Sequence, residues 1–285
     1  MTIWQAVLLG IVQGLTEFIP ISSTAHLTIT GKLLGLIRQD APEQWTAFIA
    51  VIQIGTLIAV LAYFRSDILS ISRSFILASA AFLRKQPVEK TVAENSRLGW
   101  LIIIGTIPIA VAGVTFKDII EGRLTKNLWV ISSSLIGLAI LLVIAELVAK
   151  QSRDMKSIRI ADAVIVGIAQ CFALIPGSSR SGTTITGGLF SGLTRESSAR
   201  FSFLLSIPAI TASGLFELPV ALRAGGTDWT SLITATIVSA ISGYLSIAFL
   251  LRFLQRHTTF LFAAYRIAIG LLIIVLLLSG RLTAD

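Results

Sequence analysis

Two polar segments of an otherwise apolar chain, residues 13–26 and 170–184, repeat one another. Each begins with a glutamine, breaks at a proline and continues into a cluster of serine and threonine hydroxyls. The first copy holds an acid and a base, Glu17 and His26, and the second holds a cation, Arg180. Together these groups suit transfer of a phosphoryl group, because catalysis of that reaction is mostly positioning and charge stabilisation.

The first copy predicts a helix that ends and restarts. Pro20 has no backbone donor and should end the helix before it. The hydroxyls of Ser22, Ser23 and Thr24 are good N-caps for the next helix, whose free N–H groups favour an anion. His26 lies three residues after Ser23 and four after Ser22. A hydroxyl and the imidazole can therefore share one helix face.

Glu17 and Gln13 are four residues apart on the helix that leads into this segment, so both side chains lie on one face. A carboxylate beside a neutral amide oxygen predicts a site for a divalent cation, Mg²⁺ or Ca²⁺. Structural alternatives stay open for single residues. Gln13 and Gln170 would then bond helices to each other, and His26 would be a packing residue.

The second copy predicts a phosphate cradle. A tight turn at Pro176 and Gly177 comes before a helix start crowded with hydroxyls, which belong to Ser178, Ser179, Ser181, Thr183 and Thr184. Arg180 adds a planar donor suited to phosphate oxygens. Arginine inside a membrane is costly unless an anion pairs with it. For Ser178 and Thr183 the alternative is a bond to the preceding helical turn.

The elements that position these segments belong to a membrane protein. The chain is 54% hydrophobic and 13% charged, with a mean hydropathy of +0.86, which is typical of polytopic membrane proteins. The net charge of +8 is assigned to cytoplasmic loops and anionic lipid, and we expect no nucleic-acid binding, because no soluble domain carries a basic patch. The single cysteine, Cys171, excludes an intramolecular disulfide.

The apolar pattern predicts an all-α fold with about six spanning helices in a single membrane domain, residues 1–285. A span needs roughly 20 apolar residues, and six stretches meet that length: 46–64, 99–116, 127–149, 199–222, 230–252 and 258–279. Two regions interrupted at the polar segments, 3–36 and 160–193, are predicted re-entrant hairpins. The segment 68–83 carries Arg73 and is assigned to the membrane interface.

Loop charges predict an inverted-topology repeat, with repeat 1 at about 1–149 and repeat 2 at about 160–279. Residues 65–98 and 150–159 are rich in Lys and Arg and should be cytoplasmic, whereas 117–126 has balanced charges and should lie outside. Each half is one hairpin followed by three spans, and an odd number of spans inverts the second copy. The first hairpin would enter from outside and the second from the cytoplasm, so that their tips meet.

Residues 13–26 and 176–184 closely resemble the two signatures of the undecaprenyl-diphosphate phosphatase family of bacterial inner membranes. The first signature is Glu or Gln, three residues, then Glu. The second is Pro-Gly-any-Ser-Arg-Ser followed by a Thr. The resemblance covers nearly the whole chain, including residues 201–205 and 264–266. In two places the chain differs, since Gln13 stands where many members have Glu, and Ala25 where Gly is usual.

The resemblance implies hydrolysis of undecaprenyl diphosphate to the monophosphate and phosphate, with a divalent cation. This reaction recycles the lipid carrier for peptidoglycan synthesis and is associated with bacitracin resistance. Glu17 would bind the metal or position the nucleophile, His26 would be base or acid, and Ser23 the nucleophile. Arg180 would clamp phosphate. The substrate would be lined by Ser22, Thr24, Gln170, Ser179, Ser181 and Thr184, and the metal held by Gln13 and Glu17.

Two choices stay open at this stage. Ser23, deprotonated by His26 or Glu17, would attack phosphorus and form a phosphoserine, or water would attack directly with His26 as base. A secondary transporter or lipid flippase is the alternative function, because inverted repeats are common in transporters. The partners expected are a polyprenyl diphosphate and the membrane, with the site open to the outer face. A homodimer is compatible with the sequence.

Overall fold

The computed structural model describes residues 1–37, 42–116, 127–223 and 229–284, except for the side chains of 42–44 and 217–223. The loop at 117–126, which the charge pattern assigns to the outside, lies outside the described residues. The regular elements described are helices, in chain order α1 (Ile3–Phe18), α2 (Ser23–Leu33), α3 (Pro42–Tyr63), α4 (Arg65–Leu83), α5 (Lys90–Thr115), α6 (Leu128–Val148), α7 (Ile160–Cys171), α8 (Arg180–Phe190), α9 (Arg195–Arg223), α10 (Trp229–Leu254) and α11 (Phe260–Leu278).

The predicted all-α, polytopic fold is confirmed, because seven of the described helices are long and apolar enough to cross a membrane: α3, α4, α5, α6, α9, α10 and α11. Six of them match the predicted spans, and the seventh is α4. In contrast, α1 has 16 residues and α7 has 12, too few for a bilayer that needs roughly 20. The two hairpins therefore consist of short helices, as expected for re-entrant elements.

The region 65–98 is not a loop, as the charge analysis treats it. It forms α4, a short connection, and the first turns of α5, which begins at Lys90 rather than near residue 99. The exposed polar side chains of Lys90, Glu94 and Arg97 are compatible with a helix that continues beyond the apolar run. Hydropathy detects the membrane-embedded part of a helix and misses such an extension.

The helix α4 corresponds to none of the six predicted spans, although its length and composition would permit a span. Ile68 of α4 belongs to one apolar cluster with Phe64, at the end of α3, and Leu98 of α5. The assignment of this segment to the membrane interface stays a prediction.

Helix packing follows an inverted repeat in which α1, α2, α3, α5 and α6 correspond to α7, α8, α9, α10 and α11. The first hairpin packs through α1 on α10, and the second packs through α7 on α5. The helices α3 and α9 pack on each other, as do α6 and α11. Under exchange of the halves the first two contacts are counterparts of each other and the other two map onto themselves, and among the described helices α4 has no equivalent. Each hairpin is held mainly by a span of the opposite repeat.

Two equivalent glycines permit this close packing. A Cβ on Gly10 of α1 would lie 2.5 Å from the carbonyl oxygen of Ala235 in α10. A Cβ on Gly167 of α7 would lie 2.5 Å from the carbonyl oxygen of Gly105 in α5. Both distances are shorter than van der Waals contact allows, so only glycine fits. Small residues at such crossings are typical of helix packing in membranes.

Candidate active site

The tips of the two hairpins meet, as the inverted repeat predicts. Arg180 Nη2 lies 3.1 Å from Glu17 Oε1, and this ion pair is largely buried. Next to it, the Ser181 hydroxyl donates to the carbonyl oxygen of Ile19 at 3.3 Å. One contact therefore joins the side chains of the two copies, and the other joins a side chain of the second copy to the backbone turn of the first.

Both tips have the same backbone construction. Ser22 and Ser179 are the N-caps of α2 and α8, and their hydroxyls accept from the N–H of Ala25 at 3.4 Å and of Gly182 at 3.2 Å. Both serines have positive φ, 79° for Ser22 and 65° for Ser179. Non-glycine residues rarely adopt this conformation, and it clusters at functional sites. The equivalent caps place Ser23 and Arg180 as the first residues of their helices.

The Glu17 carboxylate is the centre of the site and is only 4% exposed. Its Oε2 accepts from the Ser23 hydroxyl at 2.8 Å and from Gln13 Nε2 at 3.1 Å. Its Oε1 accepts from Arg180 Nη2 at 3.1 Å and from Gln53 Nε2 at 3.2 Å. Four donors therefore stabilise the ionised carboxylate, which would be costly to bury without them.

Gln53 is a site residue to which the sequence analysis assigns no role. It lies in α3 and reaches Glu17 from outside both hairpins. The available signal is an amide in the middle of an apolar span, where an unpaired polar side chain is costly. That signal alone does not say which partner the amide meets, because the partner is 36 residues away in the chain.

The two ring nitrogens of His26 bond neither the Ser23 hydroxyl nor the Ser22 hydroxyl, in contrast to the expectation from helix spacing. Its Nδ1 lies 2.7 Å from the carbonyl oxygen of Ser22, and its Nε2 lies 2.8 Å from the hydroxyl oxygen of Tyr265. The imidazole therefore bonds the backbone of its own N-terminal turn and a side chain of α11. In this arrangement the group positioned to take the Ser23 proton is Glu17.

The second tip surrounds Arg180 with oxygen atoms. Arg180 Nη1 donates to the carbonyl oxygen of Ser202 at 3.3 Å, while its buried Nε has no partner. The Ser179 and Ser181 hydroxyls lie 3.2 Å apart. Thr184 donates to the carbonyl oxygen of Arg180 at 2.7 Å and lies 2.6 Å from the Ser202 hydroxyl. Thr184 thus supports the helix that carries the arginine.

Thr183 and Ser178, for which the sequence also allowed a bond to the preceding helical turn, differ in their hydrogen bonds. Thr183 donates to the carbonyl oxygen of Arg180 at 3.0 Å, which is the bond to the preceding turn. The Ser178 hydroxyl is buried and has no partner among the described residues. An unpartnered hydroxyl at a helix start that also carries an arginine is suited to a ligand oxygen.

Arg266 holds the second tip from behind and is fully buried. Its Nη2 donates to the carbonyl oxygens of Ser178 at 2.8 Å, Ser134 at 3.4 Å and Gly177 at 3.5 Å. The Ser134 hydroxyl also donates to the carbonyl oxygen of Pro176. These bonds satisfy backbone oxygens that the break in the helix leaves free. In this structure Arg266 therefore has a structural role.

Gln170 and Thr24, two of the expected substrate-binding residues, do not bond the other side chains of the site. Gln170 is fully buried, and neither its amide oxygen nor its nitrogen has a partner among the described residues. Thr24 is exposed at the start of α2. Gln170 is equivalent to Gln13, but the residue equivalent to Glu17 is Leu174, so the second copy offers its glutamine no carboxylate.

Glu17 and Gln13 carry oxygen atoms of the kind that a divalent cation prefers. Among the described residues no group of three or more His, Cys, Asp or Glu side chains could hold a metal. Gln13 meets Glu17 through its Nε2, while its buried Oε1 is without a partner in the described part of the chain, so rotation of the amide would be needed to bring both residues' oxygens to one cation. Mg²⁺ usually keeps waters and binds through one or two carboxylates plus phosphate oxygens, so a complete protein cage is not needed.

Two further ion pairs stabilise the ends of helices away from the tips. Glu146 accepts from Arg195 Nε at 2.6 Å and from the Thr259 hydroxyl at 2.7 Å, joining α6, α9 and the start of α11. Asp162 and Arg153 pair at the start of α7, with 2.9 Å between Oδ1 and Nη1. Glu146, which the sequence analysis leaves unassigned, is therefore a structural residue.

The fold and the site define a polytopic membrane protein built as an inverted repeat, with a buried carboxylate, serine and arginine where its two hairpins meet. The chain matches the family of the bacitracin resistance protein BacA over residues 6–272, and it belongs to that family.

Its relatives share nearly the whole length of the chain. A protein of Syntrophobacter fumaroxidans is 56% identical over 271 residues, which cover 95% of each chain. One of Chloroherpeton thalassium is 49% identical over the full length of both chains. One of Myxococcus xanthus is 47% identical and covers 99% of this chain and 92% of its own. All three are named undecaprenyl-diphosphatase.

Proposed function

We propose that this protein hydrolyses undecaprenyl diphosphate to undecaprenyl phosphate and inorganic phosphate where the two hairpin tips meet. The observation that carries this proposal is the Glu17 carboxylate, which accepts from Ser23 on one oxygen and from Arg180 on the other. A nucleophile, its base and an anion-binding cation thus lie within one set of contacts. The name shared by the relatives supplies the substrate.

Substrate binding begins with a change of partner for Arg180. In the free protein its guanidinium neutralises Glu17, and the phosphates of the lipid would compete for it. Arginine binds phosphate through two parallel donors, and the free N–H groups at the start of α8 favour the same anion. The Ser178 hydroxyl and Arg180 Nε, both without partners, are further donors for phosphate oxygens.

The chemical step follows from the Ser23–Glu17 contact. Once Arg180 has moved to the phosphates, Glu17 Oε2 still accepts from the Ser23 hydroxyl, so the carboxylate remains in place to act as base. It accepts the Ser23 proton while Oγ attacks the terminal phosphorus, and the bond from that phosphorus to the bridging oxygen breaks. Undecaprenyl phosphate leaves with the electron pair. Glu17 gives the proton it took from Ser23 to the departing undecaprenyl phosphate and is again a carboxylate. Water then attacks the phosphoserine and gives one proton to Glu17, which passes it to Ser23 Oγ as the bond from Oγ to phosphorus breaks and phosphate is released.

A divalent cation would be held by Glu17 and the amide oxygen of Gln13, together with phosphate oxygens of the substrate. When bound, it neutralises phosphate charge and makes the terminal phosphorus a better electrophile. Mg²⁺ and Ca²⁺ both prefer such oxygen ligands. Because Glu17 is the one carboxylate that the described residues bring to this site, we expect the cation to bind more weakly than it would to a pair of carboxylates.

The cellular role proposed is recycling of the lipid carrier for peptidoglycan synthesis at a bacterial inner membrane, with the site open to the outer face. Residues 150–159, which lead into the second hairpin, hold two lysines and two arginines. By the positive-inside rule this segment is cytoplasmic, which supports a first hairpin that enters from the outer face. Bacitracin resistance would follow, since the antibiotic and the enzyme compete for one lipid diphosphate. Accessibility of single cysteines introduced at loops, in a Cys171→Ala chain, tests the orientation.

The direct test is phosphate release from undecaprenyl diphosphate by purified protein in detergent, with Mg²⁺, Ca²⁺ or a chelator. Turnover that is lost in Glu17→Gln and kept in Ser239→Ala supports the proposal. Ser239 is a suitable control because it is a buried hydroxyl without a partner in α10. No turnover by the native sequence under any cation would contradict hydrolysis and favour the transporter alternative.

A further inference from the structure

Consecutive residues of α11 contact the two hairpins. Tyr265 meets His26 of the first hairpin through its hydroxyl, 2.8 Å from Nε2. Arg266 holds the second hairpin by donating to the carbonyl oxygen of Ser178 at 2.8 Å. The last span therefore links both tips, and it does so at the level of the backbone break. Arg266 acts on a backbone, whereas Tyr265 acts on a titratable side chain of the site.

The bonds of His26 determine which partner donates. Its Nδ1 lies 2.7 Å from the carbonyl oxygen of Ser22, and a carbonyl can only accept, so Nδ1 carries the hydrogen. In neutral imidazole Nε2 then holds a lone pair. The bond to Tyr265 must run from the tyrosine hydroxyl to Nε2. The rings are also nearly parallel, with 9° between their planes and 5.6 Å between their centroids.

We propose that Tyr265 is a positioning residue of the reaction, which fixes the ring plane of His26 and the state of its Nε2 by hydrogen bonding. The proposal rests on the proposed phosphatase function, because it assigns to His26 a part in turnover. His26 does not bond Ser23, so its contribution passes through Nε2 and the Tyr265 hydroxyl. Tyr265 is 39% exposed.

The alternative is that Tyr265 only packs on His26, since ring stacking alone would hold the two side chains together. Tyr265→Phe separates the two cases, because it keeps the ring and removes the hydroxyl. Packing predicts no effect of this change. Positioning by the hydrogen bond predicts a lower kcat with little change in KM, and a change at Nε2 of His26 and not at Nδ1.

The kinetic test is a double-mutant cycle with Tyr265→Phe and His26→Ala. We expect Tyr265→Phe to lower kcat about tenfold, the size of effect that one lost hydrogen bond gives, with KM within about twofold. In the His26→Ala background it should have no further effect, because the partner is gone. Tyr244→Phe is the matched control, since Tyr244 is a similarly exposed tyrosine on α10.

The spectroscopic test uses the two histidines of the chain, His26 and His257. With histidine labelled by ¹⁵N, His257→Gln leaves the signals of His26 alone. We expect the tautomer with a proton on Nδ1, and an Nε2 resonance that moves in Tyr265→Phe while the Nδ1 resonance stays. The signals report the hydrogen bond whether or not the protein turns over substrate.

The outcomes distinguish the two proposals. Native kcat in Tyr265→Phe, a further loss of kcat in the His26→Ala background, or an unchanged Nε2 resonance would each overturn the role of Tyr265. Absence of phosphate release by the native protein would instead contradict the proposed function. In that case the Nε2 resonance alone shows whether Tyr265 bonds His26. A lower kcat coupled to His26, together with a moved Nε2 resonance, supports the role.

Discussion

Ser23 and Arg180 occupy the same position in the two repeats, 157 residues apart, and each bonds one oxygen of the Glu17 carboxylate. Both are the first residue of the helix that follows a tip, and both follow a serine N-cap with positive φ. Duplication thus produced two equivalent positions, of which one now carries a nucleophile and the other a cation. The carboxylate between them exists in one copy only.

Ser23→Ala should abolish the covalent route. We expect kcat to fall by at least about 10³-fold, because removal of a nucleophile costs several orders of magnitude in comparable systems. Phosphate release measures the effect, and labelled phosphate trapped on Ser23 during turnover would identify the intermediate. Ser198→Ala, which removes another buried and unpartnered hydroxyl, serves as control. Retention of most activity in Ser23→Ala would mean that water attacks directly.

Arg180→Lys should lower kcat/KM by about 10²-fold or more, the cost of losing one preorganised donor to a developing charge. Lysine is a point charge and cannot contact Glu17 and the Ser202 carbonyl oxygen in the manner of a guanidinium. Steady-state kinetics check this. Arg200→Lys is the matched control, since Arg200 pairs with the partly exposed Asp67, and exposed pairs contribute little. Equal effects of both changes would exclude a special role for Arg180.

Gln53→Leu should reduce activity about tenfold by removing one of the four donors to Glu17. The volume of the side chain is nearly kept, so helix packing should persist. Phosphate release and thermal unfolding are measured together. Gln5→Leu provides the comparison, because the Gln5 side chain only accepts from the N–H of Thr2 at the start of α1. If Gln53→Leu is as active as the native sequence, its bond to Glu17 plays no part in turnover.

Gln13→Glu should strengthen the response to a divalent cation. A second carboxylate beside Glu17 increases the negative charge of the oxygen set, so the concentration for half-maximal activity should fall about tenfold or more. Titration with Mg²⁺ and Ca²⁺, after treatment with a chelator, measures this. The converse change, Gln13→Leu, should raise that concentration. Full activity of the native sequence in chelator would contradict a cation requirement.

Glu146→Ala should destabilise the protein and leave the chemistry of folded molecules nearly unchanged. The carboxylate is buried, and its loss leaves Arg195 and Thr259 without their partner. Removing one member of a buried pair costs about 3 to 5 kcal/mol, less here because Arg195 is partly exposed. Thermal unfolding in detergent should detect the loss. A stable variant with much lower kcat would instead connect Glu146 to the reaction.

The helices, their ends and their caps could largely be predicted from the sequence, because each depends on a pattern of a few neighbouring residues. Apolar stretches of bilayer length predicted six spans, and α4 is the seventh helix that is long and apolar enough. Pro20 and Pro176 lie in the two tips between helices, as expected for residues that lack a backbone donor. Ser22 was one of three predicted caps at the first tip, and it is the N-cap of α2. Ser179, the equivalent residue, caps α8. Inverted symmetry followed from counting spans, and it predicted that the tips meet.

Contacts between side chains were decided by the tertiary structure. Helix spacing allowed His26 to face a hydroxyl of its own turn, but the packing of α11 places Tyr265, 239 residues away, at Nε2. Gln53 reaches Glu17 for the same reason, since the packing of α3 brings its amide to the tips. Which face of a helix meets which neighbour depends on the summed packing of all spans. The residue types and the positions of the tips were thus determined by the sequence, whereas the partner of each reactive atom was decided by helix packing.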